Sequence, residues 1–268
     1  MSTVTHTECL PASHPFHMVR PSPWPMVGAV SALVLALGLI TMMHNHGPWL
    51  LITGVLLILV TMAGWWRDVI REAVVEAAHT LPVRHGLRVG VGLFILSEVM
   101  FFAAFFWAFF HSALLVSPSV SVWPPAGIQP LEPWGVPFLN TLILLSSGLT
   151  VNWAHHGVRA DKRRVVVMAL LATVALGGLF LFLQAYEYGH AAFAFHEGIY
   201  PSVFYMATGF HGFHVMVGVC FLSVTLGRAM RGQFTPDHHV GFEAAAWYWH
   251  FVDVVWLFLF VWIYWWGG

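Results

Sequence analysis

Long apolar runs alternate along the chain with short segments that contain charged residues, proline or glycine. Seven of these runs approach the length of about 20 residues that an α-helix needs to cross the hydrocarbon core of a membrane. The pattern predicts an all-α, polytopic membrane protein with seven transmembrane helices. The predicted helices cover residues 24–42, 49–66, 87–110, 138–156, 165–186, 201–226 and 242–266.

Positive charge lies on one side of this arrangement. All 11 lysine and arginine residues fall in the N-terminal tail or around the second, fourth and sixth connections between helices. Because short cytoplasmic loops are enriched in these residues, the N-terminus is expected inside and the C-terminus outside. Residues 1–22 are predicted as a tail on the inner side, residues 23–268 as the transmembrane domain, and residues 112–137 as a proline-rich outer loop.

Composition excludes several classes of protein. Apolar residues make up 59% of the chain and charged residues 9%, whereas a soluble domain carries about 25% charged residues. A formal net charge of −1 gives no basic surface for nucleic acid. Cys9 stands alone in the N-terminal tail and Cys220 alone in an apolar run, so neither a disulfide framework nor a cysteine metal site is predicted.

One acidic residue stands deep in a predicted helix. Glu98 follows Arg88 by about ten residues, which is about 15 Å along a helix and close to mid-membrane. Lipid disfavours a charged carboxylate, and such acids are functional candidates by default. Two interpretations stay open: an acid that exchanges protons or faces a partner, and a protonated carboxyl that hydrogen-bonds a neighbouring helix.

The last predicted helix carries a polar stripe. Glu243, Trp247, His250 and Asp253 are spaced four, three and three residues apart, so they share one side of the helix. In lipid this side is expected to face other helices. Structural bonding between helices is favoured over a proton relay, because polar side chains commonly connect membrane helices.

The 17 histidines raise the question of a metal or haem. His211 and His214 share a helical face, but a metal site needs further ligands, and no cysteine or carboxylate is expected at their depth. No metal site is predicted, although haem ligation by histidines on facing helices stays an alternative. Arginines near the inner helix ends, such as Arg228 and Arg231, fit either phospholipid headgroups or topology alone.

Several stretches of the sequence closely resemble the subunit III family of cytochrome c oxidase, a haem–copper oxidase. The resemblance extends from about Pro23 to the C-terminus and is most specific in the last helix. The matching stretches are WWRDVIRE at 65–72, SEVMFF at 97–102, FFWAF at 105–109, WAHH at 153–156, LQAYEY at 183–188, ATGFHGFHV at 207–215 and EAAAWYWHFVDVVWLFL at 243–259. The chain departs from the family pattern at Leu81, between Thr80 and Pro82, and at Asn152.

The resemblance implies an accessory subunit of an aa3-type oxidase, in which two helices stand apart from five across a V-shaped, lipid-filled cleft. In the family, haem a and copper lie in subunits I and II. Subunit III packs on subunit I, binds phospholipids, and supports proton uptake and the durability of the catalytic subunit. Glu98 matches the family's buried acid. The implied headgroup contacts are Trp66, Arg71, Glu72, His79, Arg228 and Arg231.

Alternatives to this interpretation remain. A related quinol oxidase would use a similar subunit, because another subunit selects the electron donor. An independent proton or ion transporter and a haem-binding redox chain are further alternatives. The preference for arginine over lysine and the long N-terminal tail indicate a bacterial plasma membrane rather than a mitochondrial inner membrane.

Overall fold

The computed structural model describes residues 16–115 and 122–268, and all regular secondary structure in that part of the chain is helical. Seven helices are long and apolar enough to cross a membrane, which confirms the predicted fold class. They are α1 Trp24–Met43, α2 Trp49–Val74, α3 Leu81–Leu114, α4 Val136–Arg159, α5 Arg163–His190, α6 Ile199–Met230 and α7 Val240–Leu259, which a π-helical segment, Phe260–Trp265, continues.

The chain divides into two compact units, Met1–Gly86 and Leu87–Gly268. Helices α1 and α2 belong to the first unit, and α4 to α7 belong to the second, together with most of α3. Residues 1–15 of the predicted tail and residues 116–121 of the predicted outer loop lie outside the described residues. The lipid-filled cleft stays a prediction.

Several helices are longer than the sequence predicts. Helix α2 continues from residue 66 to Val74, α3 begins at Leu81 instead of residue 87, and α5 continues from residue 186 to His190. The predictions ended each helix where its apolar run ended, but charged residues terminate the hydrophobic span and not the helix. In α3, Pro82 occupies the first turn, where its missing N–H is tolerated.

In the first unit, α1 and α2 pack closely through glycine. A Cβ atom added at Gly54 would lie 2.5 Å from the Cα of Leu35, and one added at Gly38 would lie 2.5 Å from the Cα of Leu51. Small residues allow membrane helices to approach each other in this way. The buried Ser31 and Thr61 hydroxyls are 3.2 Å apart between the same two helices.

In the second unit, α7 is the most buried helix. Two fully buried tryptophans connect it to α4, because the indole N–H of Trp249 donates to Ser147 at 2.8 Å and that of Trp256 donates to Thr141 at 2.9 Å. Glycine makes room for the ring of Trp249, since a Cβ at Gly218 would lie 2.8 Å from that ring. These contacts position the polar side of α7.

Candidate functional site

The carboxylate of Glu98 on α3 meets the imidazole of His214 on α6. Oε2 of Glu98 lies 3.0 Å from Nε2 of His214, and the two side chains are only 20% and 9% exposed. The sequence-based expectation that no carboxylate accompanies His211 and His214 was therefore wrong. The reason is that the partner lies 116 positions earlier in the chain, beyond the reach of any helical spacing.

The hydrogen bonds of His214 fix how many protons the pair holds. Nδ1 of His214 lies 2.7 Å from the carbonyl oxygen of Phe210, and because a carbonyl can only accept, Nδ1 carries a proton. The contact between Nε2 and Glu98 needs one further proton, which belongs either to the carboxyl or to the ring. With that proton the pair as a whole is neutral, which makes it tolerable within a membrane span.

Aromatic rings surround this pair. The ring of Phe102 lies 4.9 Å from that of His214 and the ring of Phe101 lies 5.7 Å from it, measured between centroids. Phe101 also packs edge-on against Phe210 at 5.2 Å. Aromatic side chains of α3 and α6 thus pack around the imidazole of this pair.

The residues of the polar stripe of α7 contact different neighbouring helices. Oε2 of Glu243 accepts a hydrogen bond of 2.7 Å from Nε of Arg88 on α3. Nε2 of His250 lies 3.0 Å from Oδ1 of Asn152 on α4, and Nδ1 of His250 lies 3.5 Å from Asp253. Trp247 is 41% exposed. The stripe therefore contacts both α3 and α4, with Trp247 as its most exposed member.

Four of the six predicted headgroup residues lie in or just after α2. Trp66 is exposed, and Arg71 lies 4.0 Å from Glu76, with its own side chain 65% exposed. Glu72 lies 3.6 Å from Nε2 of His17. The ring of His79 lies 6.5 Å from that of His17. Trp66 and Arg71 therefore present the largest exposed surface of the four.

The other two predicted headgroup residues lie at the end of α6 and differ in their surroundings. Arg228 donates to Oε1 of Gln233 at 3.2 Å, and its guanidinium carbon stands 4.6 Å above the ring of Phe234. Arg231 is exposed. Arg228 therefore orders the connection after α6, whereas Arg231 is the more accessible cation.

Comparison with known proteins identifies the family. A family model described as cytochrome c oxidase subunit III matches residues 14–268. The chain belongs to this family. Proteins named cytochrome c oxidase subunit 3 are 57% identical in Pongo abelii, over 96% of this chain and 98% of that protein, and 58% identical in Marchantia polymorpha, over 95% and 97%. The protein of Scyliorhinus canicula is 55% identical over 96% and 98%.

Membership in the subunit III family establishes the general role. The chain is an accessory, non-catalytic subunit of a proton-pumping respiratory oxidase, as the resemblance implied. The seven candidate spans agree with a subunit of a membrane complex. The alternatives of an independent transporter and of a haem-binding redox chain are not supported by this assignment.

Sequence reasoning missed a buried acid in this subunit III chain. Glu187 is 4% exposed, and its Oε2 accepts hydrogen bonds from Gln184 at 2.8 Å and from the Tyr264 hydroxyl at 3.0 Å. It was overlooked because the fifth helix was predicted to end at residue 186. The spacing of Gln184 and Glu187, three apart on one face, was the signal available in the sequence.

A second group combines Glu243 with two histidines that lie near predicted helix ends, where an imidazole is easily solvated. The sequence predicted no metal site, yet His155, His239 and Glu243 each bring one ligand-type atom to within 4.8 Å of the others. His155 lies on α4, and His239 directly precedes α7. Each of these histidines has a second histidine beside it in the sequence, His156 and His238, so the sequence did not indicate which member of each pair points inward.

Proposed function

We propose that this chain is a proton-holding, phospholipid-binding subunit of an aa3-type cytochrome c oxidase. It packs against subunit I, while haem a and copper belong to subunits I and II. The observation that carries the proposal is the hydrogen-bonded pair of Glu98 and His214 within a largely aromatic part of two spans. The related quinol oxidase stays an alternative, because another subunit selects the donor.

The pair is suited to storing a proton. In its neutral form it holds one proton between Glu98 and His214, and it gains a second when both groups are protonated, which gives a single positive charge. A pair that alternates between these forms takes up a proton from one side and returns it without leaving an unpaired anion in the membrane. This supports a modest role in proton uptake by the catalytic subunit.

The proposed location is a bacterial plasma membrane, with the N-terminus in the cytoplasm and the C-terminus in the periplasm. The distribution of lysine and arginine along the seven spans supports this orientation. Exposed Trp66 and Arg71 at the inner part of α2, and Arg231 at the end of α6, are suited to phospholipid headgroups.

Replacing Glu98 with glutamine tests the proton pair. Glutamine keeps a hydrogen-bond donor for Nε2 of His214 but cannot hold the mobile proton, so the oxidase is expected to assemble normally. Proton uptake or the lifetime of activity during turnover is expected to fall by a few-fold at most. Stopped-flow proton uptake and progress curves of oxygen consumption measure these effects.

The control is Glu132→Gln, which removes an exposed acid and is expected to leave both readings unchanged. His214→Gln is expected to match Glu98→Gln, and the double variant should be no worse than either single one. Complete loss of oxygen reduction in an assembled Glu98→Gln oxidase would contradict the proposal.

Replacing both Arg228 and Arg231 with alanine tests lipid binding. The phospholipid content of the purified oxidase is expected to fall, and most of the loss should already occur in Arg231→Ala, because Arg231 is the more exposed. Lipid mass spectrometry and total phosphorus measure the change. Arg164→Ala, at an exposed cation of α5, is the control. Unchanged lipid content in the double variant would show that these arginines serve topology alone.

A further inference from the structure

A cluster of ligand-type side chains lies where the end of α4 meets the start of α7. His155, His239 and Glu243 each contribute one atom, and these atoms lie within 4.8 Å of one another. His239 and Glu243 are four residues apart and face the same side. The two elements come from distant parts of the sequence, so the fold, not local spacing, brings the three together.

The tautomer of His239 shows that lone pairs point into this cluster. Its Nδ1 lies 3.0 Å from the carbonyl oxygen of Thr235, which can only accept, so Nδ1 carries the proton. In the neutral ring, Nε2 therefore presents a lone pair, and it faces Oε1 of Glu243 at 3.4 Å. Two acceptors that face each other at this distance repel unless a cation or a proton lies between them.

His155 adds a third side chain with a ligand-type atom. Its Nε2 is buried and has no hydrogen-bond partner among the described residues. Most buried polar atoms in native proteins are hydrogen-bonded, so such an atom needs an explanation. The rings of His155 and His239 are 5.7 Å apart, which places both imidazoles beside the Glu243 carboxylate.

We infer that His155, His239 and Glu243 form a binding site for a divalent zinc ion. Two imidazoles and one carboxylate form a ligand set that zinc uses in proteins, with water in the fourth position. Tetrahedral ligands at zinc distances of about 2.0–2.1 Å stand about 3.3 Å apart, close to the 3.4 Å between His239 and Glu243. The ligand atom of His155 lies within 4.8 Å of both.

The neighbours of the three ligands match the surroundings of a metal site. Ligating histidines usually donate their other N–H to a carbonyl or carboxylate, as His239 does to Thr235. Ligating carboxylates are also held by hydrogen bonds, and Arg88 binds the second oxygen of Glu243 at 2.7 Å. Phe242 packs against His155 at 5.6 Å and gives the site an apolar wall.

Zinc binding to the purified oxidase tests this site. The complex is stripped with a chelator, equilibrated with Zn²⁺ and desalted, and its zinc content is measured by mass spectrometry. Wild-type oxidase is expected to retain one zinc ion more per complex than the His155→Ala/His239→Ala variant. Each single variant is expected to bind zinc at least about tenfold more weakly than the wild type. A crystal of the zinc-treated wild type should show an anomalous peak within bonding distance of all three ligands.

Neighbouring histidines provide matched controls. His156 and His238 are exposed and directly adjacent to the two ligands, so His156→Ala and His238→Ala should retain zinc as the wild type does. Equal zinc content in the wild type and the double variant, equal loss in the control variants, or an anomalous peak elsewhere would overturn the site. If the double variant does not assemble, the position of the wild-type anomalous peak decides the question.

Discussion

Oxidase that carries Trp249→Ala is expected to lose this subunit during purification, or to release it at a clearly lower temperature. Trp249 is fully buried, and removing such a ring from a packed core costs about 3–5 kcal/mol. The change also leaves the Ser147 hydroxyl without the indole donor that it now has at 2.8 Å. The amount of subunit that co-purifies, followed against temperature, measures the effect.

Trp247, two residues earlier on α7, is the matched control. Because it is 41% exposed, Trp247→Ala removes the same group without opening a cavity in this chain. Its effect on stability is expected to stay within about 0.5 kcal/mol, as for most surface substitutions. Equal destabilisation by the two variants would show that the burial of Trp249 is not what stabilises the subunit.

Gly54→Leu is expected to separate α1 from α2. The new Cβ would lie 2.5 Å from the Cα of Leu35, and this neighbour is backbone, which cannot rotate away as a side chain does. Overpacking of a close contact costs about 1–3 kcal/mol and occasionally more, and here we expect the upper end. Hydrogen exchange of the α1 amides should become faster, and mass spectrometry of its peptides measures this.

Gly92→Leu is the control for the same substitution. No described atom lies within 4 Å of a Cβ at Gly92, and leucine favours a helix over glycine by up to about 1 kcal/mol. This variant is therefore expected to leave α1 exchange unchanged. If Gly54→Leu also leaves the exchange of α1 unchanged, the close approach of α1 and α2 is not needed for their pairing.

The sequence predicted the spans well because their signal is local. An apolar run of about 20 residues is a property of one stretch of chain, and all seven runs became helices. The helix ends were less predictable. Charged residues indicate where the hydrocarbon layer ends, but a helix often continues past that point. For this reason Glu187 was not counted among the acids within helices, because it lies one residue after the predicted end of its helix.

Contacts between helices could not be read from the sequence in the same way. The spacing of Glu98 within its helix indicated depth, but nothing local to it indicated His214. Likewise, His155 and Glu243 meet only because α4 packs against α7. The polar residues were thus found one helix at a time, whereas their partners depend on the packing of the whole unit.

The burial of α7 also affects how the subunit is made. A membrane protein emerges from the ribosome from its N-terminus, and segments made early wait for those made later. Ser147 and Thr141 on α4 receive their indole donors only from Trp249 and Trp256 on α7, which is translated after α5 and α6. Before α7 is made, each hydroxyl can donate to a carbonyl of α4, but its oxygen lacks the indole donor. The newly inserted helices therefore acquire their final packing only when α7 arrives.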